Sequence, residues 1–467
     1  MSMNKFNSKN HLSRRQFIEL ACLASLNLVD NTDVLAMARK QNQAVQKRPN
    51  ILVLFSDQQH WEAAGFMNPF FETPNLDSFA SQSLVFENAF CTTPQCSPSR
   101  SSMMTGLYPS KTNVMGNIGA AGGNHLEKTT IGYYLSKAGY YTGYFGKWHL
   151  GDKITASRGW EQKNSHNSLP GSDSSTEAMA LSFLSSAVTK NKPFAMFASF
   201  ENPHDIYYNF ASHKLKLTSN PIELPESWYM EKFTNKPKAQ KEFMTKDQGQ
   251  IIWGEPKQEW QRYRDCYREN VKRYDANLGN IFDKLKREGL WDDTIIIVTS
   301  DHGDMDTNHR MIFKGPCMYE HLIRIPLLIR VPEKFGGFET LQTNKALTVN
   351  VDLTPTIADF CNIEIPKTDG ISLKPLLTDK RDLQVRNYVI GQYYGKQKWV
   401  SPIRMIRTKN FKYNKYLTGE EELYDLINDT EELNNLAMEP KYFNRKTELS
   451  TMLDKWIDEN NDPFYSL

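Results

Sequence analysis

The chain has 467 residues, of which 39% are hydrophobic and 24% charged, the profile of a folded globular protein with length for about three average domains. Its 56 Lys and Arg against 54 Asp and Glu leave a formal charge of +2, which excludes the diffuse basic surface of a protein that binds nucleic acid by counterion release; any anion bound here must be gripped locally. No apolar run reaches the roughly eighteen residues of a membrane-spanning helix, and the six cysteines, Cys22, Cys91, Cys96, Cys266, Cys317 and Cys361, lack the C-x-x-C pairing of a zinc ribbon or the pattern of a disulfide scaffold.

At the N-terminus, Ser13-Arg14-Arg15-Gln16-Phe17 precedes a modestly apolar stretch from Ile18 to Val29, and Ala36-Met37-Ala38 offers a small-residue cleavage site. The pattern resembles a twin-arginine export signal, which implies passage of an already folded protein to the bacterial periplasm, with secretion or surface attachment as variants. An amphipathic N-terminal helix is the alternative. Glu19 and Leu20 upstream of Cys22 fit a lipoprotein signal poorly. On this reading residues 1–38 are a signal peptide and 39–48 a linker.

Ile51-Leu52-Val53-Leu54-Phe55 is a continuous apolar run ending at Ser56-Asp57, the pattern of a strand buried on both faces in a parallel sheet. Thr294 to Val298 repeats it and ends at Ser300-Asp301. Tyr140 to Phe145 delivers Gly146-Lys147-Trp148-His149, and Phe194 to Phe200 delivers Glu201-Asn202-Pro203-His204. Ligands of open α/β sheets bind beyond the carboxyl ends of the strands, so these four ends are expected to converge on one site. A helix is predicted over Gln258 to Glu288, where Trp260, Tyr263, Tyr267, Val271, Tyr274, Leu278, Ile281 and Leu285 recur at helical spacing and Gly289 closes it. Between Asp205 and Lys257 the chain is polar and weakly periodic, either a substrate-facing region or a surface excursion. After Asp369-Gly370 short alternating segments, Tyr388 to Tyr394 and Met405 to Tyr413, precede a helix near Lys446 to Glu459. The expected architecture is α/β: a large domain (49–375) with a mostly parallel central sheet flanked by helices, and a small α+β C-terminal subdomain (376–467) with an antiparallel sheet.

Cys96-Ser97-Pro98-Ser99-Arg100 carries the chemistry. Pro98 and Ser99 to Thr105 read as a helix start, which would place Cys96 where unpaired backbone N–H groups favour an anion. Taken alone, the cysteine is either a low-pKa nucleophile or an inert buried thiol. The order C-x-P-S-R, however, is similar to the signature of type I sulfatases, in which the cysteine is oxidised to Cα-formylglycine (3-oxoalanine). Further segments resemble that family in the same order: Asp57-Gln58, Gly106-Leu107-Tyr108-Pro109, Gly146-Lys147-Trp148-His149-Leu150-Gly151, Asn202-Pro203-His204, Ser300-Asp301-His302-Gly303, Lys314 ahead of Tyr319-Glu320, and Asp369-Gly370-Ile371-Ser372-Leu373. Coverage runs from about Pro49 to the C-terminus.

The resemblance implies an alkaline phosphatase-like fold and hydrolysis of sulfate esters. It implies one calcium ion at Asp57, Gln58, Cys96, Asp301 and His302, although Gln58 stands where many relatives carry a second aspartate and His302 where many carry asparagine, which leaves the metal's identity open. Hydrated formylglycine would attack sulfur with one hydroxyl, and loss of a proton from the second would expel sulfate. Arg100 and Lys147 would steady the formylglycine and metal-side charge, His149 would assist that proton loss, His204 would protonate the leaving oxygen, and Lys314 would meet a non-bridging oxygen. Asn117, His309 and Arg310 are candidates for substrate contact, or alternatively for loop capping. The implied partners are a sulfated saccharide, such as an algal glycan (ulvan, carrageenan or fucoidan) or a glycosaminoglycan, and a formylglycine-generating or sulfatase-maturing enzyme. Two other functions fit the residues: a formylglycine-dependent phosphonate or phosphate ester hydrolase, and an inactive sulfatase-like carbohydrate-binding protein. Cys317 and Cys361 are open to either a free or a paired state.

Overall fold

Strand β1 (Asn50–Asp57) is buried along its whole length, and its alternate residues enter two separate cores. Ile51, Val53 and Phe55 pack on one side of the sheet, Leu52 and Leu54 on the other, which is why the run has no polar alternation. The computed structural model describes residues 48–467 except 152–157, 213–221, 339–340, 380–382 and 398. The expected signal peptide at 1–38, with Cys22, and all but the last residue of the expected linker lie outside the described residues.

The other strands are β2 (Leu84–Phe86), β3 (Ala89–Phe90), β4 (Tyr141–Lys147), β5 (Gln162–His166), β6 (Phe194–Pro203), β7 (Thr294–Ser300), β8 (Leu327–Arg330), β9 (Gln342–Asn344), β10 (Thr348–Val349), β11 (Tyr388–Lys396), β12 (Trp399–Thr408), β13 (Phe411–Tyr416) and β14 (Glu421–Asp425). The central sheet has the order β5-β4-β6-β1-β7-β8-β2-β9. All its neighbours pair in parallel except at β8, which runs against both β7 and β2. The four strands singled out in the sequence are therefore contiguous, as β4-β6-β1-β7, and their carboxyl ends lie side by side. β3 and β10 form a separate parallel pair.

The long helix spans Lys257–Arg287, with Gly289 in the left-handed region at φ 65°. Its second half, from Tyr274 to Leu285, packs with the helix Asp173–Val188 on one face of the sheet. Its first half, from Trp260 to Val271, joins the opposite core. The predicted excursion after Asp205 is built from short helices, Ile206–Ser212, Glu226–Met230 and Lys238–Lys246, and Phe243 and Met244 are fully buried.

The C-terminal sheet is antiparallel, β11-β12-β13-β14. The segment expected to be one strand from Met405 to Tyr413 is two, because the chain turns back between Thr408 and Phe411, where the Thr408 hydroxyl and the Phe411 backbone hydrogen-bond each other. Ile390, Ile406 and Leu423 pack under the helix Phe443–Glu459 through Leu449, Leu453 and Trp456. The opposite face, with Tyr393, Ile403 and Met405, joins the main core.

Candidate active site

Arg100 organises the strand ends. The helix Cys96–Thr105 starts at Cys96 itself, two residues earlier than the proline suggested, and ends on Gly106 at φ 73°. A Cβ there would also come within 2.7 Å of Thr368, so the position requires glycine. One turn into this helix, the Arg100 guanidinium reaches Asp301 through Nε at 2.7 Å and Asp57 through Nη2 at 3.0 Å. Nη1 donates to the Lys147 carbonyl and Ser199 Oγ, both at 2.7 Å. Lys147 Nζ lies 2.6 Å from Asp57 and 3.2 Å from Glu201. Each of these side chains is buried, and breaking one partner out of such a set leaves an uncompensated charge in the interior.

Cys96 faces this group. Its Sγ accepts from Lys314 Nζ at 2.8 Å and lies 3.3 Å from His302 Nε2 and 3.6 Å from Asp57 Oδ1. Burial and Asp57 push the thiol up, yet Lys314, Lys147 and His302 together bring it well below the usual thiol range. The other thiols contrast with it. Burial raises Cys91, Cys266 and Cys317, and Cys317 is a free thiol in the core.

The residues expected to hold a metal fit one. Ligand atoms of Asp57, Cys96, Asp301 and His302 all lie within 4.8 Å of one another. His302 Nδ1 is 2.9 Å from the Gly303 carbonyl, which holds the ring so that Nε2 faces the cluster, 2.8 Å from Lys314 Nζ. Gln58 Nε2 donates to Asp304 at 2.6 Å, while Gln58 Oε1 is buried without a hydrogen-bond partner. Burial pushes both aspartates up. Lys147, His204, Lys314 and Arg100 overcome it and hold Asp57 well below the carboxylate range, whereas Asp301, beside the negative Asp57, is raised. Two carboxylates, an amide oxygen and one imidazole are a mainly hard donor set suited to a divalent cation.

On the open side, His204 Nδ1 lies 3.2 Å from Glu201 Oε1, and its side chain is 19% exposed against 0% for Glu201. His149, at φ 54°, borders Cys96. Burial, aided by Lys147, pulls its imidazole down from the usual value against the opposing hydrogen bond with Cys96. Asn117 caps rather than projects: its Oδ1 accepts from the Ser97 backbone N–H at 3.0 Å, satisfying one of the helix N-terminal donors that the sequence left open for an anion. His309 and Arg310 follow β7 in the loop that leads to Lys314. His309 is buried, stacked on Tyr319 at 3.9 Å and paired with Glu231 at 3.1 Å, and Arg310 lies 4.9 Å from the Trp228 ring. Glu201 and Asp304 were not singled out in the sequence. Glu201 stood inside the Glu201-Asn202-Pro203-His204 segment, three residues before His204 at the end of β6, and that proximity was the available signal.

The family model described as Sulfatase matches residues 49–363. The chain belongs to the sulfatase family. A second model, described as N-sulphoglucosamine sulphohydrolase, C-terminal, matches residues 308–459. The sulfatase is 28% identical over 453 residues to a Delta 4,5-hexuronate-2-O-sulfatase of Bacteroides thetaiotaomicron, covering 90% of this chain and 91% of that one. It is 26% identical over 487 residues to an ulvan-active sulfatase of Formosa agariphila, covering 96% and 88%. The solved structure of a 2-O GAG sulfatase superposes with a TM-score of 0.80 at 26% identity, covering 90% of this chain and 94% of that one. The sulfatase therefore hydrolyses sulfate esters on the alkaline phosphatase-like fold expected from its motifs. No helix among the described residues is long and apolar enough to cross a membrane.

Proposed function

We propose that this sulfatase removes sulfate from a sulfated carbohydrate, an extracellular polysaccharide or its oligosaccharides, with Cys96 matured to Cα-formylglycine and one calcium ion held by Asp57, Gln58, Asp301, His302 and residue 96. The observation that carries the chemistry is the meeting of Cys96 with two carboxylates, an imidazole and the Lys314 ammonium in one buried cluster. The carbohydrate reading is supported by the activities named for the hexuronate, GAG and ulvan relatives. Glycosaminoglycans and algal glycans, ulvan, carrageenan and fucoidan among them, are the candidate polymers.

The formylglycine hydrate supplies an oxygen nucleophile that a thiol cannot, and the cation supplies positive charge beside it. The remaining work belongs to the side chains. Arg100 and Lys147 hold Asp57 and Asp301 in place through the contacts above. Lys314, with its point charge, neutralises a non-bridging sulfate oxygen. Glu201 occupies Nδ1 of His204, leaving Nε2 to deliver a proton to the departing alcohol oxygen. His149, against residue 96, accepts the proton whose loss releases sulfate. Export by residues 1–38, a catalytic domain over 49–375, a C-terminal subdomain over 376–467 and modification by a sulfatase-maturing enzyme complete the proposal.

Mass spectrometry of the peptide ending at Arg100, from protein made in its native host, tests it. Loss of the Cys96 sulfur with gain of an aldehyde is expected; an intact thiol sinks the mechanism and favours the carbohydrate-binding alternative. Turnover of matched sulfate, phosphate and phosphonate esters separates the sulfatase from the phosphoester alternative.

A further inference from the structure

Lys396 ends β11, beyond the last of the family's motifs, yet its side chain reaches the catalytic cluster. Nζ donates to the Lys314 backbone carbonyl at 2.5 Å and to the Tyr207 hydroxyl at 3.1 Å. It is 5% exposed and surrounded by aromatic faces, 4.8 Å from the Phe243 ring centre, 5.5 Å from Tyr207 and 5.9 Å from Phe313. A buried amine that makes two hydrogen bonds and packs against Phe243 and the Tyr207–Phe313 stack has few alternative positions.

Both partners lead to residues on the sulfate side. Phe313, immediately before Lys314, is in the left-handed region at φ 58° and closes a run in which Asp306, Thr307, His309 and Arg310 are also left-handed. Such backbone persists only where its surroundings over-determine it. The Tyr263 hydroxyl meets the Phe313 N–H at 3.0 Å, and Lys396 takes the next carbonyl, so the segment presenting Lys314 is held from both ends. Tyr207 stacks on Phe313 at 3.8 Å and lies 4.9 Å from the His204 ring. One side chain from the C-terminal sheet thus braces the backbone of Lys314 and the aromatic neighbour of His204. It also lines a cavity of about 610 Å³ with Glu242, Lys246, Asp247, Gln397 and Trp399.

We propose that Lys396 is a positioning residue for Lys314 and His204, through which the C-terminal sheet sets the geometry of sulfate-ester cleavage. The inference rests on the proposed roles of those two residues. Its loss lets Lys314 and His204 drift from the sulfur and the departing oxygen, and displacement of that kind lowers kcat before it weakens binding. The effect is larger for esters whose leaving oxygen needs a proton.

The test uses the full-length, matured enzyme with Lys396→Met and Tyr207→Phe, singly and together, on p-nitrophenyl sulfate and on phenyl sulfate, whose phenolate leaves less readily. We expect Lys396→Met to lower kcat on phenyl sulfate roughly tenfold or more with a smaller change in KM, to lower it less on p-nitrophenyl sulfate, and to combine with Tyr207→Phe less than multiplicatively. Wild-type kcat in Lys396→Met overturns the inference, as does a loss confined to KM, which would mean that Lys396 touches substrate. If Lys396→Met does not fold, Tyr207→Phe, which keeps the ring stack, decides: wild-type kcat and leaving-group dependence overturn the inference. Cys96→Ala is measured alongside. An inactive Cys96→Ala with a normal Lys396→Met refutes the positioning role alone, whereas an active Cys96→Ala refutes the underlying mechanism as well.

Discussion

Lys314 Nζ stands 2.8 Å from Cys96 Sγ although 218 residues separate them in the chain. The contact joins the segment after β7 to the first residue of a helix that follows β3, and His302 and Asp57 lie beside it. A cation placed directly over residue 96 stabilises negative charge at that position and at any anion brought against it.

Cys96→Ala is expected to abolish turnover, by roughly a thousandfold or more, because the residue carries the covalent chemistry. The same substitution removes only a side chain facing polar neighbours, so the thermal midpoint is expected to stay within a few degrees. Activity assays paired with thermal unfolding check this; wild-type rates in the variant would require another nucleophile.

Arg100→Met is expected to destabilise the protein by about 3–5 kcal/mol, the usual cost of breaking a buried ion pair from one side. Asp57 and Asp301 both lose their guanidinium partner, and the carbonyl of Lys147 loses its donor. Denaturant unfolding of the variant and wild type measures the difference, and a change under about 1 kcal/mol would contradict the geometry.

Stripping divalent cations with a chelator is expected to lower both activity and thermal midpoint, and calcium to restore them. A ligand at a hundred times its Kd adds about 2.7 kcal/mol to folding. Because Arg100 and Lys147 already neutralise much of the site, the stripped protein is expected to remain folded. Full activity after exhaustive stripping would remove Asp57 and Asp301 from any metal role.

His309 gives a pH signature distinct from the catalytic cluster. Burial pulls its imidazole down from 6.5 to about 4, against the opposing pull of Glu231, and the Glu231 carboxyl is lowered by the same hydrogen bond. Between those pH values the unfolded chain binds a proton that the folded chain refuses, so stability is lost as pH falls from about 6.5 towards 4. The contribution is on the order of 3 kcal/mol across the window. Denaturant midpoints at several pH values should show this slope, and His309→Gln should flatten it; an equal slope in the variant would assign the effect elsewhere.

Much of this architecture was legible in the chain because parallel strands buried on both faces leave unbroken apolar runs, and β1 and β7 are such runs. Their carboxyl ends named Asp57 and Asp301, and the pattern around Cys96 named Arg100. What stayed hidden depends on contacts that carry no local signal. Asn117, His309 and Arg310 lie near motifs in sequence, but whether a loop side chain points at a substrate or folds back onto backbone is decided by packing. Glu201, three residues before His204, carries no signal of its role because an acidic residue at a strand end is common. Lys396 had no motif at all. Its importance appears only once the C-terminal sheet is laid against the main core. The hairpin between β12 and β13 was missed for a similar reason, since two adjacent alternating strands read as one when the turn lacks glycine and proline.

Arg100, Lys147 and Lys314 face Asp57, Asp301 and Glu201, three cations against three carboxylates. With Asp304 behind Gln58 as a further carboxylate, a divalent cation turns the centre net positive. A sulfate monoester brings one negative charge to it, while the inorganic sulfate released carries two. Attraction therefore grows as the reaction proceeds, and free sulfate is expected to compete with substrate for the centre.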